Sequence, residues 1–153
     1  STPLYSSEAS DVYKRQSLEN KFNRMSSIFT KIVNGEIPCY KIAEDANFLA
    51  FLDVNPNAKG HTLCIPKQEI DQLFEIDDTL YLGLMQFSKK IAAALQKTVP
   101  CKRIGMSVIG LEVPHAHVHL IPLNEMDEMR FQNKVTLSKE EFEALAKAIQ
   151  NNL

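Results

Sequence analysis

The chain has 153 residues, 44% hydrophobic and 24% charged, the size and balance of one globular domain that can bury a core without staples. Its 17 basic and 19 acidic residues leave a net charge of −2; that excludes the basic excess behind non-specific nucleic-acid binding, though not one nucleotide held in a pocket. The three cysteines, Cys39, Cys64 and Cys101, form no Cys-x-x-Cys pair, so a reducing, cytoplasmic setting is expected rather than a disulfide framework. No apolar run reaches the roughly 20 residues of a membrane span, and the opening lacks the basic and apolar regions of a secretory signal.

Residues 1–24 are rich in Ser, Asn, Glu and Lys without a steady apolar period, and read as a disordered tail. Within them Asp11-Val12-Tyr13-Lys14-Arg15-Gln16 reads as extraneous translated sequence, which makes Met25 the natural start and 25–153 the folded domain. Ser26 or Ser27 can cap a short helix through Asn34, ended by Gly35. Residues 40–43 are a short extended piece, and Asp45-Ala46-Asn47 is turn chemistry. Residues 48–53 are an apolar run of strand length. A loop over 55–60 separates it from a second strand over 61–66, antiparallel to the first. Asp77 or Asp78 caps a long helix in which Leu80, Leu84, Phe87, Ile91 and Leu95 recur at steps of three or four. Thr98-Val99-Pro100 ends it. Residues 104–109 read as a strand, 110–114 as a tight loop, and 115–121 as the last strand, between Pro114 and Pro122. Ser138-x-x-Glu141 is a capping box ahead of Phe142, Leu145 and Ile149, hence a C-terminal helix. Clustered strands with two flanking helices give an α+β class with an antiparallel sheet.

The chemistry is concentrated in His115-Ala116-His117-Val118-His119. Alternate side chains of a strand share a face, so three imidazoles line up about 7 Å apart while Ala116, Val118 and Leu120 face the core. The chain has four histidines, and the fourth, His61, opens another predicted strand. A single histidine there would read as a satisfied or exposed residue; three in alternation read as a site, because buried imidazoles need partners. Metal binding is one chemistry for His-x-His. It wants a carboxylate three or four residues on, where Ile121, Pro122, Leu123 and Asn124 stand. Phosphate chemistry is the other: imidazole, with an ordinary pKa of about 6.5, can be nucleophile, acid or cation near neutrality.

The segment His115-Ala116-His117-Val118-His119-Leu120-Ile121 resembles the His-Φ-His-Φ-His-Φ-Φ signature (Φ apolar) of the histidine triad, or HIT, superfamily, and in particular its bacterial nucleotide-binding type. Three further motifs agree: Ile28-Phe29-x-Lys31-Ile32-Val33-x-Gly35-Glu36-Ile37-Pro38, the run from Phe48 to Pro56, and Gly60-His61-Thr62-Leu63-Cys64-Ile65-Pro66-Lys67. The resemblance covers about residues 27–122. It implies a HIT-like fold with an antiparallel sheet of about five strands and two main helices, and a homodimer that joins two sheets into ten strands. It also implies hydrolysis or transfer at the α-phosphorus of a purine nucleoside phosphate, through a nucleotidyl-phosphohistidine. By resemblance His117 is the nucleophile, His115 and His119 contact the phosphate and help the leaving group, and His61 orders the cluster. Asp53 holds the ribose hydroxyls, and Ile28, Phe29, Phe51, Leu52 and Val54 wall the base. No cofactor, nucleic acid or membrane partner is implied. A non-catalytic or slow nucleotide-binding module is the competing function.

The chain also departs from the pattern. Many bacterial relatives carry a Cys-x-x-Cys of a zinc site where Ser27-Ile28-Phe29-Thr30 stands here, so no zinc of that kind is expected. Ser107 or Val108 falls where the phosphoramidase branch has an Asn that touches phosphate. Glu112 stands three residues before His115, where a carboxylate beside phosphate must point away or pair; main-chain N–H groups of residues 112–115 can replace the lost donors. Pro122 resembles the dinucleoside polyphosphate hydrolase branch, and the phosphoramidase Gly-Gly is absent, so the leaving group stays open. The apolar face of the long helix is the sequence's own hint of a dimer, and Arg130 is a candidate phosphate contact near a partner's pocket.

Overall fold

Turn chemistry and strand-length apolar runs fold as one antiparallel sheet. The computed structural model describes residues 26–153, so the tail expected over 1–24 and the start expected at Met25 lie outside the described residues. The strands are β1 (Lys41–Glu44), β2 (Phe48–Leu52), β3 (Thr62–Pro66), β4 (Arg103–Ser107) and β5 (Val118–Leu123), in the spatial order β1-β2-β3-β5-β4. Asp45 closes the first hairpin: its Oδ1 accepts the N–H groups of Asn47 and Phe48, each at 2.8 Å, a side-chain mimic of a backbone turn. All residues of β2 and β3 are buried, which is why both read as continuous apolar runs instead of an alternation.

The two long helices lie on one face of this sheet. Asp77 caps α2 (Asp78–Thr98) by accepting from Leu80 N–H, and Ser138 caps α3 (Lys139–Gln150) by accepting from Glu141 N–H. Leu84, Phe87, Ile91 and Leu95 of α2 and Phe142, Leu145 and Ile149 of α3 pack with Ala50, Leu52, Ala116, Val118 and Leu120 in the main core. The α2 stripe is therefore spent on this chain's own sheet and gives no support to a dimer. On the other face the six-residue helix α1 (Ile28–Val33) covers a smaller cluster of Phe29, Leu49, Phe51, Leu63 and Ile65. Gly35, with φ +77°, lets the chain leave α1 in the left-handed region that other residues avoid.

Two boundaries differ from expectation for the same reason. The N–H groups of His115 and Ala116 are already bonded to Val113 O and Ile70 O, so the β5 ladder cannot begin before Val118. His61 likewise donates its N–H to Ala58 O and stands just outside β3. The site lies on the α1 side, where these irregular backbones meet.

Candidate active site

The direction of each hydrogen bond in the histidine cluster follows from its one-way partners. His117 Nδ1 is 2.7 Å from His115 O. A carbonyl only accepts, so Nδ1 carries the hydrogen and Nε2 keeps its lone pair. Burial pulls the His117 pKa down, opposed by that hydrogen bond and by the charges of Asp53 and Glu112. Phe29 meets the ring edge-on at 4.9 Å between centroids and holds its plane. The result is a neutral imidazole with one free lone pair.

A second set of bonds runs the other way. Asn57 N–H donates to His61 Nδ1 at 3.0 Å. Neutral His61 must then carry its hydrogen on Nε2, which is 2.9 Å from His119 Nδ1. His119 accepts there, so its own hydrogen sits on Nε2. Burial, with neighbouring cations, pushes both rings down to a pKa of about 3, so each is neutral near pH 7. His117 thus offers a lone pair, and His119, 4.8 Å away between centroids, offers an N–H.

His115 is fully buried. Its Nε2–H donates to Pro66 O at 2.8 Å, and its Nδ1 lies 2.8 Å from Ser27 Oγ. Both ring nitrogens are engaged by the protein, and the ring is not among the residues that line the cavity. What reaches the site from His115 is its carbonyl.

A cavity of about 530 Å³ opens over His117 and His119, and Ile28, Phe29, Asp53 and Glu112 are among the residues that line it. Asp53 Oδ1 accepts Asn55 N–H at 2.9 Å, and burial raises its pKa. The remaining wall residues are not brought there. Phe51 sits behind Phe29, at 5.6 Å between centroids. Leu52 points to the helix side, because successive residues of a strand alternate faces. Val54 is 68% exposed beyond the strand. Ser107 pairs with His119 in the β4–β5 register and so shares its face; its Oγ is buried with no partner, but it does not line the cavity.

Phe131 and Lys134 also line the cavity, with Leu63, Ile109, Leu111 and Val113 among its apolar walls, and the first two were not singled out in the sequence. Phe131 packs on His119 at 4.8 Å between centroids. Lys134 Nζ lies 5.1 Å over the Phe131 ring and donates to Asn57 Oδ1 at 2.8 Å. They come from an irregular stretch held by the bond from Val135 N–H to Pro56 O, so no period marks them. Arg130 is 72% exposed, faces Asp127 at 3.7 Å and lines no part of this chain's own cavity.

Asp53, His61 and His119 place ligand atoms within 4.8 Å of one another, which tests for a metal. A ligating imidazole nitrogen must be unprotonated. His61 Nε2 bears the hydrogen because Asn57 N–H occupies Nδ1, so the set is arranged for a hydrogen-bond relay. The place of the family's zinc cysteines is filled by the hydroxyls of Ser27 and Thr30, which bond to His115 and Glu69, a poor donor set for zinc.

Comparison with known proteins agrees with this geometry. Residues 34–126 match the HIT domain family. A HIT-like protein of Borreliella burgdorferi is 38% identical over 135 residues, 82% of this chain and 97% of its own length. An adenosine 5'-monophosphoramidase of Schizosaccharomyces pombe is 39% identical over 99 residues, 64% of this chain and 74% of its own. The solved HIT-like protein of Bartonella henselae, described as involved in cell-cycle regulation, superposes with a TM-score of 0.74 at 32% identity, covering 84% of this chain and 96% of that one. With a histidine triad on a five-stranded antiparallel sheet and these relatives, the chain belongs to the HIT family of histidine triad nucleotide-binding proteins, whose named members support nucleotide hydrolysis in general.

Proposed function

We propose that the protein cleaves purine nucleoside 5'-phosphoramidates, with His117 Nε2 attacking the α-phosphorus. The observation that carries this reading is the bond from His117 Nδ1–H to His115 O, which leaves Nε2 unprotonated and facing the cavity with His119. As the Nε2–phosphorus bond forms, the bond from phosphorus to the leaving nitrogen breaks; that nitrogen takes a proton from solvent and accepts a hydrogen bond from the neutral His119 Nε2–H. Water then attacks the nucleotidyl-histidine and loses its proton to solvent as the Nε2–phosphorus bond breaks. The nucleoside monophosphate leaves and both rings return to their starting forms. Splitting one displacement into two lowers each barrier. Asp53, Glu112 and the His115 carbonyl, which favour a cationic His117, stabilise the charged adduct.

Ile28 and Phe29 clamp the base, Asp53 takes the ribose hydroxyls, and Lys134 serves the phosphate. The leaving group follows from charge. Two carboxylates and one lysine line the cavity, and the histidines are neutral, so a polyphosphate leaving group would add negative charge to a site already biased negative. An amine nitrogen can accept the hydrogen bond that His119 Nε2–H offers. The S. pombe monophosphoramidase is consistent with this. The test is a panel of adenosine phosphoramidate against diadenosine polyphosphates, run beside His117→Ala. Faster turnover of the phosphoramidate, an adenylyl group on His117 by mass spectrometry and loss of both in the variant are expected. Binding without turnover or adduct would instead favour a nucleotide-binding module.

We further propose a homodimer joined along β4, which among the described residues pairs only with β5; β4 carries Met106 (47% exposed) and is followed by Ile109 (48%) and Leu111 (90%). A free strand edge beside apolar side chains is a template for pairing. Sedimentation at micromolar concentration reads the state; a monomer would overturn this assignment.

A further inference from the structure

A line of hydrogen bonds joins the protein surface to His117 by a route that no step of the proposed reaction uses. It starts at the exposed Glu69, in the loop after β3. Glu69 Oε1 accepts twice, from Ser27 N–H at 2.6 Å and from Thr30 Oγ1–H at 2.7 Å. Ser27 is the N-cap of α1, and its Oγ accepts Thr30 N–H at 3.0 Å. His115 Nε2 faces the Pro66 carbonyl and must donate. His115 Nδ1 is therefore an acceptor, and the Ser27 hydroxyl donates to it at 2.8 Å. The carbonyl of the same His115 orients His117.

The weak point of this line is α1. Six residues make less than two turns, too few to hold a helix by propensity. Yet α1 carries Ile28 and Phe29 of the cavity wall, and Phe29 packs on both His115 and His117. Thr30 Oγ1 also lies 3.4 Å from His115 Nδ1. While Glu69 accepts the Thr30 hydroxyl hydrogen, only Ser27 can donate to that nitrogen. Without Glu69, two hydroxyls compete for one lone pair and α1 loses its tether.

We infer that Glu69 is a positioning residue for His117: one carboxylate oxygen, bonded to Ser27 N–H and Thr30 Oγ1–H, fixes α1 against His115 and through its carbonyl sets the direction of the His117 lone pair. It rests on the reading of His117 as nucleophile. It acts through the acceptor oxygen, so Glu69→Gln, whose amide oxygen can accept both bonds, retains the function.

The test compares Glu69→Ala, Glu69→Gln and Ser27→Ala with the unaltered chain. Two readings are taken: imidazole 15N spectra, and the single-turnover rate of His117 adduct formation with adenosine 5'-phosphoramidate. The Ala variants are expected to slow adduct formation about tenfold, because small misplacements of a nucleophile are costly. They should also move or broaden the His115 and His117 15N signals, while Glu69→Gln stays within about twofold of the unaltered rate. Unchanged spectra and rate in Glu69→Ala would overturn the inference, as would a Glu69→Gln as slow as Glu69→Ala. A purely structural role would lower the melting temperature and leave the 15N signals of the folded fraction in place. If the unaltered chain forms no adduct, the nucleophile reading fails, and the 15N spectra still decide whether Glu69 orients the rings.

Discussion

Each histidine of the cluster has its hydrogen placed by a neighbour that can act in one direction only. The consequence for turnover is a graded series. His117→Ala should abolish adduct formation. His119→Ala, which removes the N–H that meets the leaving nitrogen in the proposed reaction, should cost about 10²–10³-fold in kcat, measured with an amine leaving group. Glu112 acts on charge. Glu112→Gln should leave nucleoside monophosphate affinity unchanged or tighter and raise kcat/KM for diadenosine tetraphosphate relative to adenosine phosphoramidate. A tenfold loss of nucleotide affinity would mean that the carboxylate touches the ligand. The pH dependence of stability has a definite sign. His61 and His119 have pKa values near 3 in the fold against about 6.5 unfolded. The unfolded chain therefore binds more protons below pH 6.5, and stability falls as pH drops from there towards 3. Between pH 7 and 5 two such groups lower the unfolding free energy by about 4 kcal/mol, readable from urea melts. His119→Gln should flatten the slope by about half.

At the scale of elements, the positions that hold the site are packing decisions. α2 contributes no residue to the cavity lining but backs the sheet that carries His119. Leu84 is fully buried in that contact, and Leu84→Ala should cost about 2–5 kcal/mol with little change in KM of the folded enzyme, checked by denaturant melts and kinetics together. Helix caps and strand interiors were legible because each has a local cause: Asp77, Ser138 and Ser27 before apolar periods, and β2 and β3 as apolar runs. The face assignment within 48–54 was not. A continuous apolar strand carries no alternation to say which side is which, so Leu52 and Phe51 were assigned to a wall that Ile28 and Phe29 help to form and they do not. The start of β5 was misplaced because His115 and Ala116 make their backbone bonds to Val113 and Ile70, contacts invisible in a local pattern.

For the whole molecule, the sheet brings together residues separated by most of the chain. The triad could be named in advance, since its residue type and spacing are themselves the signal, whereas His61 and Asp53 were assigned through the resemblance of their segments to the family's motifs. Ser27, Asn57, Glu69, Phe131 and Lys134 could not, because each reaches the cluster through a bond between distant segments: Ser27 to His115 spans 88 residues, and Lys134 to Asn57 spans 77. Lys134 lies in the stretch after β5 and outside the core, so Lys134→Ala should leave the fold intact but weaken nucleoside monophosphate binding, measured by calorimetry beside a denaturant melt. Unchanged affinity would mean that Lys134 is not the phosphate contact of that segment.

The amide hydrogen of Asn57 has an influence out of proportion to its size. It behaves as a one-way valve for the cluster: because it can only give, every bond after it, through His61 to His119, must point toward the cavity. No side-chain replacement at position 57 removes that hydrogen except proline. Which ring nitrogen of His119 bears the hydrogen is thus written in the backbone, where a comparison of side chains between relatives would not find it. Two family members with identical histidines can differ in which ring nitrogen bears it, if the loop before His61 turns its amide elsewhere.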